Sequence, residues 1–140
     1  MIAIVCTDDN NGMMFNKRRQ SKDRKLREYI LNMCRGSRIW MNSYSAKQFD
    51  ESDLKNSPEI NIDADFVFKA SKGEYCFIED RSLLPYEQWT EKIILCRWNR
   101  LYPSDLKFDI PLSEHGWKCI GTDEIQGSSH DKITIEVYER

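Results

Sequence analysis

Short apolar runs rich in β-branched residues recur along this chain, and they constrain its fold more than any other feature. Runs of this length, bounded by turn residues, are typical of strands buried inside a sheet. The strongest is 92–98, KIILCRW. The others are 2–7 (IAIVCT), 38–41 (RIWM), 75–78 (YCFI), 117–121 and 132–138. We therefore predict a sheet whose strands come from the whole length of the chain.

Helices are predicted between these strands. The apolar periodicity of 26–34 predicts a helix capped by Ser21, running to about Arg35 and stopped by Gly36. The remaining predicted elements are short helices at 44–49, at 64–70 with Asp63 as cap and at 82–89, and a loop at 50–60.

The order of these elements predicts the fold class. Strands alternate with helices first, and strands follow one another at the end, which favours an α/β protein. The last segment, 132–138, alternates apolar and polar residues, as a half-buried antiparallel strand does. We expect one domain over 1–140, with a central, mostly parallel mixed sheet, flanking helices and an antiparallel C-terminal edge.

The charge balance disfavours a dedicated nucleic-acid binder. The chain has 21 Lys and Arg against 23 Asp and Glu, for a net charge of -2, whereas such proteins carry a basic excess. The segment 17–27, KRRQSKDRKLR, is the basic exception. It fits a phosphate or nucleic-acid site, but a solvated helix face is the favoured interpretation. No apolar run is long enough to cross a bilayer, and the start lacks a basic leader, so a cytoplasmic location without membrane contact is expected.

Cysteine and histidine usage gives no expectation of a metal site. The cysteines are scattered and form no CxxC pair, which favours reduced thiols. His115 and His130 lie far apart in sequence. His115 is expected to be solvated, and the SSH at 128–130 is only a weak indication of nucleophilic chemistry, because a triad is assembled by geometry rather than by neighbours in sequence.

Asp23 is the acidic residue with the clearest possible function. It lies in the predicted first turn of the first helix, beyond the carboxyl end of a predicted strand, where ligands bind in α/β sheets. The alternative is ordinary helix-start chemistry, since carboxylates are enriched there. From sequence alone the alternative is favoured.

Several segments, in serial order, resemble dihydrofolate reductase. They are MIAIVC with NGMM, SRIWMNSYSAKQF, YCFIEDRSLLPYEQW, EKIILCRWNR, PSDLKFDI and the closing HGWKCIGTDEIQGSSHDKITIEVYER. The resemblance covers most of the chain. It implies a central mixed sheet flanked by helices and a pterin pocket between the first strand and the first helix.

The resemblance also implies a set of site residues. Asp23 corresponds to the acid that hydrogen-bonds the pterin and would be the catalytic residue. Val5, Cys6 and Phe77 would line the same pocket. Cys96 falls where the family has a threonine that supports the acid, and cysteine is a weaker hydrogen-bond partner.

The cofactor side departs from the family pattern. The family binds NADPH through a glycine pair that lets a backbone approach a pyrophosphate, and here those positions are Glu79 and Asp80. These carboxylates introduce bulk and like charge, so NADPH binding is disfavoured. Ser43, Tyr44 and Ser45 offer hydroxyls to a phosphate but lack the family's arginine. The family's next strand is expected to be missing between Phe49 and Ile60.

Three functions remain open at this point. The first is a reductase-like protein that has lost standard NADPH binding and keeps a pocket for a small molecule or a partner. The second is a divergent NAD(P)H-dependent reductase of a pterin-like or other small substrate. The third is phosphate or nucleic-acid binding through 17–27. The sequence does not indicate the oligomeric state.

Overall fold

The computed structural model describes residues 1–49 and 59–140. Its strands are β1 (Ile2–Thr7), β2 (Gly12–Phe15), β3 (Arg18–Arg19), β4 (Arg38–Met41), β5 (Glu59–Ile62), β6 (Tyr75–Phe77), β7 (Lys92–Arg97), β8 (Leu106–Lys107), β9 (Lys118–Ile125) and β10 (Ile133–Glu139). Its helices are α1 (Arg24–Met33), α2 (Ser43–Ala46), α3 (Phe66–Lys69) and a 3-10 helix at Leu84–Trp89.

The main sheet of the described residues has seven strands in the order β5-β4-β6-β1-β7-β10-β9. The first five strands in this order run parallel to one another: β5, β4, β6, β1 and β7. Strand β10 pairs antiparallel with both β7 and β9. The predicted α/β class, the mostly parallel sheet and the antiparallel C-terminal edge are confirmed. The central position of β1 follows from its composition, because a strand buried on both faces must be apolar throughout.

Apolar side chains cover both faces of this sheet. Ile4 and Ile94 pack with Ile30 of α1 on one face, while Ala3 and Val5 pack with other buried residues on the opposite face. The parallel arrangement brings the carboxyl ends of β1, β4, β6 and β7 to one edge, where ligands bind in open α/β sheets.

The first helix begins later than predicted. Its N-cap is Asp23, whose carboxylate accepts a hydrogen bond from the backbone N–H of Leu26, so the prediction of Ser21 as cap is wrong. The Ser21 hydroxyl instead contacts His130. The helix ends at Met33, and Gly36 follows with a φ of 82°, a left-handed conformation that glycine adopts without strain.

A strand is present where the end of a loop was predicted. Residues 59 and 60 were predicted as part of a loop, but Glu59–Ile62 pairs in parallel with Arg38–Met41. The short EINI pattern is overshadowed in the sequence by Pro58 and its polar neighbours. The rest of the predicted loop, 50–58, lies outside the described residues.

A second, smaller sheet has three strands in the order β3-β2-β8. Its central strand, Gly12–Phe15, pairs antiparallel with both neighbours. Met13 and Met14 are buried, and Phe15 is exposed. The other helices are shorter than predicted: α2 and α3 have four residues each, and the segment containing Pro85 winds as a 3-10 helix. Asp63 caps no helix, and its carboxylate accepts from the N–H of Asp65 in a turn.

Candidate functional site

The candidate site lies between the carboxyl ends of β1 and β6 and the start of α1. Cys6, Phe77 and Trp98 contribute its apolar lining, and Asp23 and Glu79 contribute carboxylates. The cavity measures about 10 Å³, which is room for about one water molecule. The cleft is therefore nearly closed by the protein's own side chains.

Asp23 is held by a dense set of donors. Its Oδ1 accepts from the N–H groups of Leu26 at 3.2 Å and Ser128 at 3.0 Å. Its Oδ2 accepts from the N–H of Ser129 at 2.8 Å and lies 3.1 Å from Nδ1 of His130. The hydroxyls of both serines also contact the carboxylate. One buried side chain thus joins the start of α1 to the turn at 127–130.

These donors keep Asp23 ionised. Burial acts to raise the pKa of Asp23, but the N–H groups of Ser128 and Ser129, with His130 and Leu26, outweigh it and hold the pKa well below the ordinary value. At neutral pH the site therefore contains a fixed negative charge and not a carboxylic acid ready to donate a proton.

His130 occupies the position next to this charge. Its side chain is 2 % exposed and stacks on Trp98, with ring centroids 4.5 Å apart. Its Nε2 lies 3.2 Å from the Ser21 hydroxyl and 3.0 Å from the Tyr102 hydroxyl. Sequence reasoning assigned His130 no catalytic role, although the SSH pattern contained the residues that surround Asp23.

Gly127 is required for this close packing. A Cβ at Gly127 would lie 2.4 Å from Oδ2 of Asp23 and 2.7 Å from the carbonyl oxygen of His130. We expect Gly127→Ala to lower the free energy of unfolding by about 2 kcal/mol, because the backbone and the carboxylate must move apart. Urea denaturation measures the change.

Gly121 provides the matched control for that substitution, because no atom lies within 4 Å of a Cβ built there. Gly121→Ala should change the stability by less than about 0.5 kcal/mol. Equal losses for the two variants would contradict the assigned crowding at Gly127.

The other predicted substrate-binding residues divide into two groups. Cys6 and Phe77 line the cleft with Asp23. Val5 and Cys96 are wholly buried in the core beside it. Cys96 faces Cys6 across β1 and β7, and the hydrogen bond between the two thiols, together with burial, raises the pKa of Cys6. In the described residues it is the turn at 127–130, and not Cys96, that hydrogen-bonds Asp23.

Glu79 is the first of the two acids that the resemblance sets against the family's glycine pair. Its carboxylate is buried and accepts four hydrogen bonds. Arg19 donates to it twice, from Nε at 2.9 Å and from a terminal nitrogen at 3.1 Å. The Ser45 hydroxyl donates at 2.8 Å and the Gln48 amide at 3.2 Å. The carboxylate therefore fills the space between β6 and α2 and carries its own counter-charge.

Arg19 reaches this carboxylate from the small sheet. Its guanidinium lies 4.3 Å from the centre of the Tyr44 ring and donates to the Tyr44 carbonyl. Its backbone N–H donates to the Tyr44 hydroxyl at 2.9 Å. We call this assembly of Arg19, Glu79, Ser45, Gln48 and Tyr44 the Arg19–Glu79 bridge.

Asp80 is also paired. Arg81 donates to it at 2.8 and 3.0 Å, and Asn42 donates at 2.8 Å. Each of the two acids thus has an arginine partner, so like charge counts for less against a diphosphate than the sequence indicated. The space that the Glu79 side chain occupies is then the stronger argument against a diphosphate in this turn.

Of the three residues predicted to contact a cofactor phosphate, two are hydrogen-bonded to other residues of this protein. Ser45 is buried and bonded to Glu79, and Tyr44 is bonded to Arg19. Ser43 is exposed. Of these three residues, Tyr44 and Ser45 therefore already have partners within the protein.

His115 and the basic segment 17–27 can also be compared with the sequence-based predictions. His115 is not simply solvated, since its Nδ1 lies 2.9 Å from a carboxylate oxygen of Glu87. In the basic segment 17–27, Arg19 is committed to Glu79, while Lys17, Arg18 and Lys25 are exposed.

Residues 1–49 and 59–140 contain no cluster of three or more His, Cys, Asp or Glu side chains placed to hold a metal ion. Their helices are too short or too polar to span a membrane.

The sequence matches no protein-family model and no curated protein. Among solved structures, this chain is similar to dihydrofolate reductase from Enterococcus faecalis complexed with NADP(H) and RAB-propyl. The TM-score is 0.66 at 10% sequence identity, and the match covers 99% of this chain and 95% of that chain. Together with the sheet order, this match shows that the chain has a dihydrofolate reductase-like α/β fold.

Proposed function

We propose that this chain is a dihydrofolate reductase-like protein that does not use NADPH and binds a small molecule in the cleft beside Asp23. The Arg19–Glu79 bridge is the observation that carries the proposal. The bridge holds a buried carboxylate with four hydrogen bonds at Glu79, the residue that the sequence resemblance sets against the first glycine of the family's pair. A diphosphate in this turn would have to displace the Glu79 side chain and separate it from Arg19.

The chemistry of the cleft favours a small nitrogen heterocycle as the ligand. A molecule entering from the side of Arg19 meets the Glu79 carboxylate, which accepts hydrogen bonds, so the ligand must supply N–H donors in place of the guanidinium. Phe77 and Trp98 provide aromatic surface in the same cleft. Because the cleft holds about one water molecule, the side chains that line it must move before a ligand enters.

The alternative is a divergent reductase that still takes NADPH, as the similar structure from Enterococcus faecalis does. Thermal unfolding of the purified protein with millimolar NADPH separates the two. A ligand at a hundredfold excess over its Kd stabilises a protein by about 2.7 kcal/mol. We expect no change in Tm, and a saturable increase would overturn the proposal.

A variant that lacks both Arg19 and Glu79 tests whether the bridge is the reason that NADPH does not bind. Arg19→Ala with Glu79→Gly leaves no unpaired charge and empties the turn, so a dinucleotide-dependent increase in Tm should appear. Lys47→Ala, which changes an exposed cation near α2, is the matched control and should behave as the unmodified protein does. A double variant that still ignores NADPH would contradict the role given to the bridge.

A further inference from the structure

Three side chains brought together from distant parts of the sequence have the geometry of a nucleophilic relay. Oδ2 of Asp23 lies 3.1 Å from Nδ1 of His130, and Nε2 of His130 lies 3.2 Å from Oγ of Ser21. A nucleophile, a base and an orienting acid within these distances are the signature of serine-based covalent catalysis. We propose that Ser21, His130 and Asp23 form an acyl-transfer site that cleaves small esters.

The hydrogen-bond pattern fixes the tautomer that such a relay needs. Asp23 is ionised and can only accept, so a neutral His130 places its proton on Nδ1. Nε2 is then left as an acceptor and faces the Ser21 hydroxyl. Stacking on Trp98 holds the ring in this orientation. The neighbouring N–H groups of Ser128 and Ser129 fix the acid in turn.

Ser21 is the member of the relay that a substrate can reach. It is partly exposed, whereas the side chains of Asp23 and His130 are almost completely buried. Tyr102 contacts the same imidazole nitrogen, with its hydroxyl 3.0 Å from Nε2, so in the resting state the Ser21 and Tyr102 hydroxyls share one Nε2 lone pair. Once Nε2 has taken the Ser21 proton, it donates to the Tyr102 oxygen, and the Tyr102 O–H is then free to donate to the oxyanion that forms when the carbonyl is attacked.

The reaction proceeds in two balanced steps. In the first, the Ser21 O–H bond breaks, its proton passes to Nε2 of His130, and Oγ bonds to the carbonyl carbon while the π pair moves onto oxygen. Collapse of that intermediate expels an alcohol, which takes the proton from His130. Water then attacks the acyl-serine in the same way, releases the carboxylic acid and restores Ser21.

A surface groove beside the relay indicates the class of ester. The groove measures about 300 Å³ and includes Phe15, Arg18, Gln20 and Tyr102. Phe15 is 48 % exposed and can contact an apolar group of a substrate. Arg18 is also exposed and can pair with an anionic group. The structure therefore points to a small ester whose acyl part carries a carboxylate or phosphate.

Labelling with a fluorophosphonate tests the nucleophile. The probe forms an Oγ–P bond with loss of fluoride, and peptide mass mapping locates it. We expect labelling at Ser21, loss of labelling in Ser21→Ala, and unchanged labelling in Ser113→Ala, which alters an exposed serine elsewhere. Folded protein that is not labelled at Ser21 would overturn the proposal.

Two further variants separate catalysis from structure. His130→Gln should slow labelling of Ser21 about a hundredfold, the usual contribution of a general base. If that variant does not fold, Ser21→Cys provides the measurement with the network intact. Iodoacetamide should then alkylate position 21 faster than the exposed Cys119, because an adjacent imidazole favours the thiolate. Alkylation no faster than that of Cys119, or labelling that ignores the loss of His130, would contradict the relay.

The substrate class has its own test. Hydrolysis of the 4-nitrophenyl monoester of succinic acid should be faster than that of 4-nitrophenyl acetate, and Arg18→Ala should remove the preference. Equal rates for the two esters in the unmodified protein would overturn the anionic part of the proposal.

Discussion

Asp23→Asn is expected to lower the free energy of unfolding by about 3 kcal/mol, as measured by urea denaturation at pH 7. The amide keeps one oxygen for the helix N-terminus, but its NH2 group then faces the donors of Ser129 and His130. A buried donor left without an acceptor costs about 1 to 3 kcal/mol, and the donors of Ser129 and His130 both lose theirs. Asp9→Asn, at an exposed position, is the control and should be neutral.

The same substitution should change the acid limb of the stability curve. The pKa of Asp23 is lower in the folded protein than its ordinary value of 3.8. A depressed carboxyl pKa gives stability that is present above the ordinary value and is lost as the pH falls below it. The unmodified protein should therefore lose stability below about pH 4 more steeply than Asp23→Asn does. Parallel curves for the two proteins would contradict this account of the charge.

Arg19→Met is expected to lower the free energy of unfolding by about 3 kcal/mol, because it leaves the Glu79 carboxylate buried without its cation. Adding Glu79→Leu to Arg19→Met should recover most of the loss, since replacing both members of a buried pair with apolar residues is often neutral. A double-mutant cycle in guanidinium chloride measures the coupling between the two side chains.

Arg100→Met, at an exposed arginine outside the bridge, is the matched control for that cycle. It should change the stability by less than about 0.5 kcal/mol. Surface ion pairs contribute less than about 1 kcal/mol, so a loss in that range for Arg19→Met would contradict the role of Arg19 as the counter-charge of a buried carboxylate.

The central strands of the main sheet were predictable because each one is a local pattern. The segments 2–7 and 92–98 are apolar runs typical of strands that are buried on both faces. In the structure they pair with each other at the centre of the sheet. The EINI strand was missed because its four residues, beside Pro58, carry too few apolar side chains to be distinguished from a loop.

The site was less predictable because its contacts are not local. Asp23 was identified as a candidate, but its partners lie 105 to 107 positions further along the chain. Arg19 and Glu79 are 60 positions apart, and nothing near either residue indicates the other. The sequence showed the acids at 79 and 80 with Arg81 beside them, but only the fold shows that Arg81 pairs with Asp80 and that Arg19 pairs with Glu79.

The bond between Asp23 and the turn at 127–130 also has a consequence for the order of folding. The first helix obtains the fixed position of its N-terminal carboxylate from residues that leave the ribosome more than one hundred positions later. Contacts of such large separation form slowly, because loop-closure entropy must be overcome first. The nascent chain therefore carries α1 without this anchor until residues 127–130 have been synthesised, and loss of that turn would leave only the local cap on the N–H of Leu26.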